Sequence, residues 1–290
     1  MVIYNPKDWI KLIFQFHKSD TVRMLTPAMI ALGIYTGILT YLEIDLKLFS
    51  VKSTTVVHSL LGFVISLLLV FRTNTAYERW WEGRKLWGEL VNNSRNLAIK
   101  INAFVPTEIN NSRNRLASLL AHYPTVLKEH LRKGVDELYL ESIPAIDVAQ
   151  LKKYKHKPNG MVNSITQELC ELNKQKVVSD EKLLLLNEEV KSLVNVAGAC
   201  ERIKNTPIPY SYSLFIKKII FAYVFSMPFG FILDFKYWTI PIVIFVFYAF
   251  ASLELIAEEI EDPFGSDAND LPTDDLAEKI KANVQEIITY

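Results

Sequence analysis

The sequence predicts an all-α membrane protein with a large helical part outside the bilayer. Three observations carry that class. Four stretches are almost purely apolar, the segment between the second and the third keeps apolar residues three and four apart, and no strand-like alternation of useful length occurs. Half of the 290 residues are hydrophobic, 22% are charged and the mean hydropathy is +0.15. That mixture suits a chain only partly embedded in lipid.

The first element, Met1 to Asp20, sets Trp9, Ile10, Leu12, Ile13, Phe14 and Phe16 among Lys7, Lys11 and Lys18. It lacks the clean apolar core and small-residue cleavage site of a secretory signal. It reads as an amphipathic helix at the membrane interface, with Trp9 at headgroup depth. The apolar stretches follow: Leu25–Ile44, Val56–Phe71, Ile219–Leu233 and Tyr237–Ala257. A crossing takes about 20 residues at 1.5 Å rise each. The first and fourth reach that length, whereas the second and third need flanking turns or a partly buried setting.

Charge sets the orientation. Lys7, Lys11, Lys18 and Arg23 precede the first span; Arg72, Arg79, Arg84 and Lys85 follow the second; Lys217 and Lys218 precede the third. Positive flanks mark the cytoplasmic side. Both termini and the middle segment are therefore expected in the cytoplasm. The expected organisation is an interfacial helix over 1–24, two spans over 25–103, a cytosolic helical region over 104–215, two more spans over 216–258, and an acidic loop with a final helix over 259–290.

The second span runs without a pause into charge and tryptophan, "LLVFRTNTAYERWWEGRKLWGELVNNSRN". No proline interrupts it, so one helix is expected to leave the bilayer and continue. Trp80, Trp81 and Trp87 are expected near the interface or in subunit contacts. Arg72 is expected to meet Glu78, Glu82 or a lipid phosphate. In the middle segment "LASLLAHYPTVLKEHL" and "EKLLLLNEEVKSLVNVAGACERI" have helical periodicity, with Ser179 or Asp180 placed to cap the second. "KKYKHKPNG", Lys152 to Gly160, reads as a solvated basic loop stopped by proline and glycine.

The formal net charge is zero, so no bulk field points to nucleic acid. Cys170 and Cys200 are too few for a disulfide framework. There is no glycine-rich phosphate loop and no nucleophile elbow, and the five histidines show no metal-ligand spacing. Nothing argues for an enzyme, and no cofactor is required.

Two features remain. Ser59, Phe63, Leu67 and Phe71 recur every fourth residue on one helix face. Such a stripe normally packs or faces lipid, and the residues alone favour packing. Several copies around an axis would turn it into an apolar neck that gates ions by dewetting. The second feature is "EEIEDPFGSDANDLPTDD", Glu258 to Asp275. Its carboxylates make calcium an option. An EF-hand starting at Asp267 would place Pro272 where glycine is needed, so that loop is rejected. The residues favour a plain loop, with Thr273 or Asp274 capping the final helix.

"LLGFVISLLLVFRTNTAYERWWEGRKLWGELVNNSRN", "ACERIKNTPIPYSYS" and "IEDPFGSDANDLPTDD" resemble the bestrophin family in its bacterial branch, in the family's order and over nearly the whole chain. The resemblance implies a homopentameric channel for small monovalent ions, with four transmembrane helices per subunit and the second lining a central pore. Phe63, Leu67 and Phe71 then fall at the neck, and a cytosolic constriction falls on the helix before "ACERI", where Val190, Leu193 and Val194 are candidates. A calcium clasp, as in animal members, would use the Asp267 and Asp270 side chains with backbone carbonyls of Glu259 and Asp262. Here Ala268 and Asn269 interrupt the aspartate run, which weakens that clasp and leaves Asp267 and Asp270 to cap and pin the tail. The bacterial motifs favour cations; an anion-selective channel of the same architecture is the alternative. A membrane-anchored scaffold or enzyme with a cytosolic partner, and a secondary transporter, are the rivals from other classes.

Overall fold

The computed structural model describes residues 20–50 and 52–289. The expected interfacial helix lies almost wholly outside them. Ten α-helices are described: α1 (Asp20–Ile44), α2 (Thr55–Phe104), α3 (Asn110–Leu131), α4 (Glu137–Ser142), α5 (Val148–Lys153), α6 (Lys157–Lys174), α7 (Asp180–Asn205), α8 (Tyr210–Phe235), α9 (Thr239–Glu261) and α10 (Thr273–Thr289). A short 3-10 turn, Lys236–Trp238, joins α8 to α9, and no strand occurs among the described residues. The chain divides into two compact units, one of residues 20–79 and 207–261, the other of residues 80–206 and 262–289.

The first unit contains α1, the first half of α2, α8 and α9. Three stretches are long and apolar enough to cross a membrane: Thr21–Ile44, Thr55–Phe104 and Tyr210–Glu261. The last of them contains both α8 and α9. These two form a hairpin, for Lys217 near the start of α8 pairs with Glu258 near the end of α9 at 2.8 Å. The two apolar stretches that look short in the sequence sit inside helices of 50 and 26 residues, so flanking turns supply the missing length. Ile65 and Leu69 of α2 pack with Ile216, Ile220, Val224 and Met227 of α8 and Val243 of α9. The approach of α8 to α2 depends on Gly230: a Cβ there would stand 2.8 Å from His58 Nδ1.

The second unit has its own core. The far half of α2 contributes Trp87, Leu90, Leu97 and Ile101, α3 contributes Leu116, Leu119 and Tyr123, and α7 contributes Leu186, Val190, Leu193, Ala197 and Cys200. The α7 positions step by four and three, the spacing of one buried helix face. Ser179 caps α7 by accepting from the Lys182 amide at 3.4 Å. The Tyr123 hydroxyl, which burial makes a weaker acid, donates to the Leu193 carbonyl at 2.8 Å.

One sequence expectation is corrected here. "KKYKHKPNG" is not a stopped loop: α6 starts at Lys157, with Pro158 in its first turn. Proline costs nothing there, because an amide in that turn has no helical partner to lose. Gly160 is buried within α6, where a Cβ would stand 2.9 Å from the Tyr154 ring.

Candidate functional site: an exposed apolar stripe and its anchors

The first half of α2 has two unlike faces. Ile65, Leu69 and Arg72 are each 1% exposed, at the three- and four-residue steps of one helix face. Phe63, Leu67 and Phe71, roughly half a turn away, are 69%, 46% and 56% exposed. Among the described residues, nothing of the chain covers this stripe. Large exposed apolar patches mark surfaces that meet lipid, another protein or a ligand.

An ion network holds the other face of this helix. The Arg72 guanidinium lies 2.7 Å from Glu261 Oε2 and 3.5 Å from Glu254 Oε2. Glu261 also accepts from the Ile208 amide through Oε1 at 2.6 Å, and its carbonyl accepts from Arg79 Nε at 3.1 Å. The expectation for Arg72 is therefore corrected. Its partners are the two carboxylates on α9, not Glu78, Glu82 or lipid; Glu82 pairs instead with Arg202 at 2.9 Å. A buried guanidinium needs opposite charge, and the face that carries Arg72 turns inward.

The tryptophans separate by role. Trp87 is fully buried in the core of the second unit, so it is neither at an interface nor in a subunit contact. Trp80 donates from Nε1 to the Asn269 carbonyl at 3.0 Å and so holds the acidic loop, while Trp81 remains exposed.

That loop is tied down at several points. The Asp270 carboxylate is buried and accepts from the Asp267 amide at 2.7 Å, which closes the turn. Gly265 leaves room for it: a Cβ would lie 2.5 Å from Asp270 Oδ2. Arg132 of α3 donates to the carbonyls of Phe264 and Gly265 at 3.2 and 3.0 Å, to Thr273 Oγ1 at 3.0 Å, and to Asp274 at 2.8 Å. Lys128 adds a 2.6 Å pair with Asp274. The Arg132 and Lys128 hydrogen bonds hold the Asp274 carboxyl down at about 2. Thr273 and Asp274, expected as helix caps, are thus turned onto Arg132. Asp262 and Asp267 are exposed, Glu259 is half-buried, and the Asp262 carbonyl accepts from the Gly265 amide at 3.5 Å. A polar cavity of about 260 Å³ lies against Arg132, Asp267 and Asp270.

Of the three residues considered for a cytosolic constriction, Val190 (4% exposed) and Leu193 (0%) belong to the core, whereas Val194 is 41% exposed.

A family model described as bacterial/fungal bestrophin protein matches residues 1–286. The chain belongs to the bestrophin family. A relative from Nostoc sp., a voltage-dependent anion channel-forming protein, is 34% identical over 97% of this chain and 92% of its own length. A protein of the same description from Escherichia coli K12 is 29% identical over 98% of this chain and 93% of its own. The fold is that of solved bestrophins as well: a crystal structure of a bacterial bestrophin homolog from Klebsiella pneumoniae superimposes with a TM-score of 0.82. It is 27% identical and spans 90% of this chain and 97% of that one. The all-α class and the bestrophin resemblance expected from the sequence thus hold.

Proposed function

We propose that this chain is the subunit of an ion channel in the bacterial inner membrane, five copies surrounding a pore lined by the first half of α2. The observation that carries the reading is the exposed stripe of Phe63, Leu67 and Phe71 beside a face locked inward by Ile65, Leu69 and Arg72. Around a five-fold axis the three side chains form an apolar neck. A narrow apolar neck sheds water and stops ions until its side chains move. Four crossings per subunit, α1, α2, α8 and α9, put both termini and residues 104–215 in the cytoplasm, in line with the positive flanks. Val194 is the residue of its group suited to a cytosolic constriction.

The channel passes small monovalent ions passively and makes or breaks no covalent bond. Its relatives' names support anions over the cations expected from the bacterial motifs. The neck adds no fixed charge to oppose either sign. No bound cofactor is needed. A calcium clasp at Asp267, Asp270, Glu259 and Asp262 is weak in this reading. Asp270 is committed to the Asp267 amide, and Arg132 brings a positive charge onto the neighbouring carbonyls.

Purified protein in planar bilayers tests the reading. The mass in detergent should be five-fold that of one chain. In a sodium chloride gradient the reversal potential should lie toward the chloride equilibrium value, and chelating calcium should leave the current unchanged. Reversal toward the sodium value would restore the cation reading and keep the channel. A monomeric particle with no current would remove the channel altogether.

A further inference from the structure

Three side chains with no part in the conduction reading meet on the second unit. His130 from the last turn of α3, His156 at the N-cap of α6 and Glu201 on α7 place one donor atom each within 4.8 Å of one another. Both imidazole Nε2 atoms point at a single oxygen, Glu201 Oε1, at 2.7 and 2.5 Å, and the ring centroids are 4.4 Å apart. We propose that His130, His156 and Glu201 form a binding site for a divalent transition-metal ion of the zinc class, each giving one ligand and water completing the shell.

The chemistry of the donor set fixes the ion class. Two imidazole nitrogens and one carboxylate oxygen suit Zn²⁺ and its neighbours, whereas calcium and magnesium take oxygen ligands throughout. Three protein ligands leave a position open, as in zinc sites that keep a water. All three side chains are partly exposed, so an ion has a way in. Cys200, next to Glu201, is not one of the three: its side chain turns into the core and is fully buried there. Of the flanking cations, Arg202 is spent on Glu82, and Lys157 on the carbonyls of Leu151 and Lys152.

Binding has a traceable proton account. His156 Nδ1 accepts from the Asn159 amide at 3.2 Å, which places the ring proton on Nε2, donating to Glu201. An ion at Nε2 requires that proton to move to Nδ1. The Asn159 amide then turns to water, which it can do because Asn159 is exposed. His130 makes the same shift with no cap to release. The site therefore joins α3, α6 and α7 in exchange for one long cap hydrogen bond.

The test uses full-length protein in detergent, stripped with a chelator and titrated with Co²⁺ by visible absorption, then with Zn²⁺ in competition. The expected result is one ion per chain, the cobalt band displaced by zinc, and a melting temperature raised by zinc. Glu201→Gln should abolish the stoichiometric band. His156→Asn should abolish it too, and because asparagine is a strong N-cap, α6 keeps its start and the metal-free melting temperature stays near that of the unaltered protein. No stoichiometric band in the unaltered protein would overturn the site. So would bands of equal affinity in both variants, or a zinc-dependent melting shift that survives in His156→Asn.

Discussion

One helix, α2, lives in two environments. Its first half buries a single face against its own chain and leaves Phe63, Leu67 and Phe71 exposed; its second half puts Trp87, Leu90, Leu97 and Ile101 into a core made by α3, α6, α7 and α10. The difference teaches which part of the chain is complete alone. The second half buries most of its large apolar residues inside one subunit, Trp81 and Ile99 excepted, so substitutions at the buried positions act on folding. The first half leaves an apolar face for lipid or for further copies, so under the proposed function substitutions on that face should act on assembly and conduction.

The sharpest way to break this contrast is at Trp87. Trp87→Ala should cost about 3–5 kcal/mol, the range for emptying a large aromatic site in a packed core, read as a lower chemical-denaturation midpoint. An unchanged midpoint would show that the second half is not the self-sufficient one. Arg72 tests the anchor on the other half. Arg72→Met leaves Glu254 buried without its cation, and truncating one partner of a buried pair costs about 3–5 kcal/mol. The value should fall at the low end, because Glu261 keeps its bond from the Ile208 amide. Adding Glu254→Gln should recover part of the loss; if the double variant is worse than the single, the pair is not what Arg72 serves.

The stripe should behave in the opposite way. Alanine at Phe63, Leu67 and Phe71 together should change the stability of one subunit little, since exposed positions usually move it within about 0.5 kcal/mol each. The same variant should raise single-channel conductance, as a wider and wetter neck no longer excludes ions. Unchanged current from an intact five-fold assembly would take the neck out of the mechanism.

These contrasts were unequally legible in the sequence. The four-residue period of the stripe was visible, because helical period and side-chain bulk are local properties; its role as a neck belongs to the proposed function. The partners of Arg72 were not visible. Glu254 and Glu261 lie more than 180 residues away on a different apolar helix, and nearer carboxylates at Glu78 and Glu82 were the natural guess. Trp87 misled for a related reason: surrounded by charge, it resembled an interfacial anchor, yet its step from Gly83 and to Leu90 and Leu97 is that of a buried face. His130, His156 and Glu201 have no ligand-like spacing at all. Only the packing of three helices brings them to one point, and the proline taken as a loop stop in fact opens the helix that carries His156 to the others.

The smallest effect should come from the surface clamp on α10. Asp274 is held at about 2 against an ordinary 3.8, through its bonds to Arg132 and Lys128. A carboxyl depressed in the folded state contributes stability above its unfolded value and loses it as pH falls through the folded one. The clamp should therefore be at full strength near neutrality and fade between about pH 4 and pH 2. The side chain is 59% exposed, so water screens the pair and the contribution stays small. Asp274→Asn should lower the melting temperature slightly at neutral pH, and the gap to the unaltered protein should close as the solution approaches pH 2. A gap that persists undiminished in acid would mean that Arg132 holds α10 through the Phe264 and Gly265 carbonyls and Thr273, with no part played by the carboxylate charge.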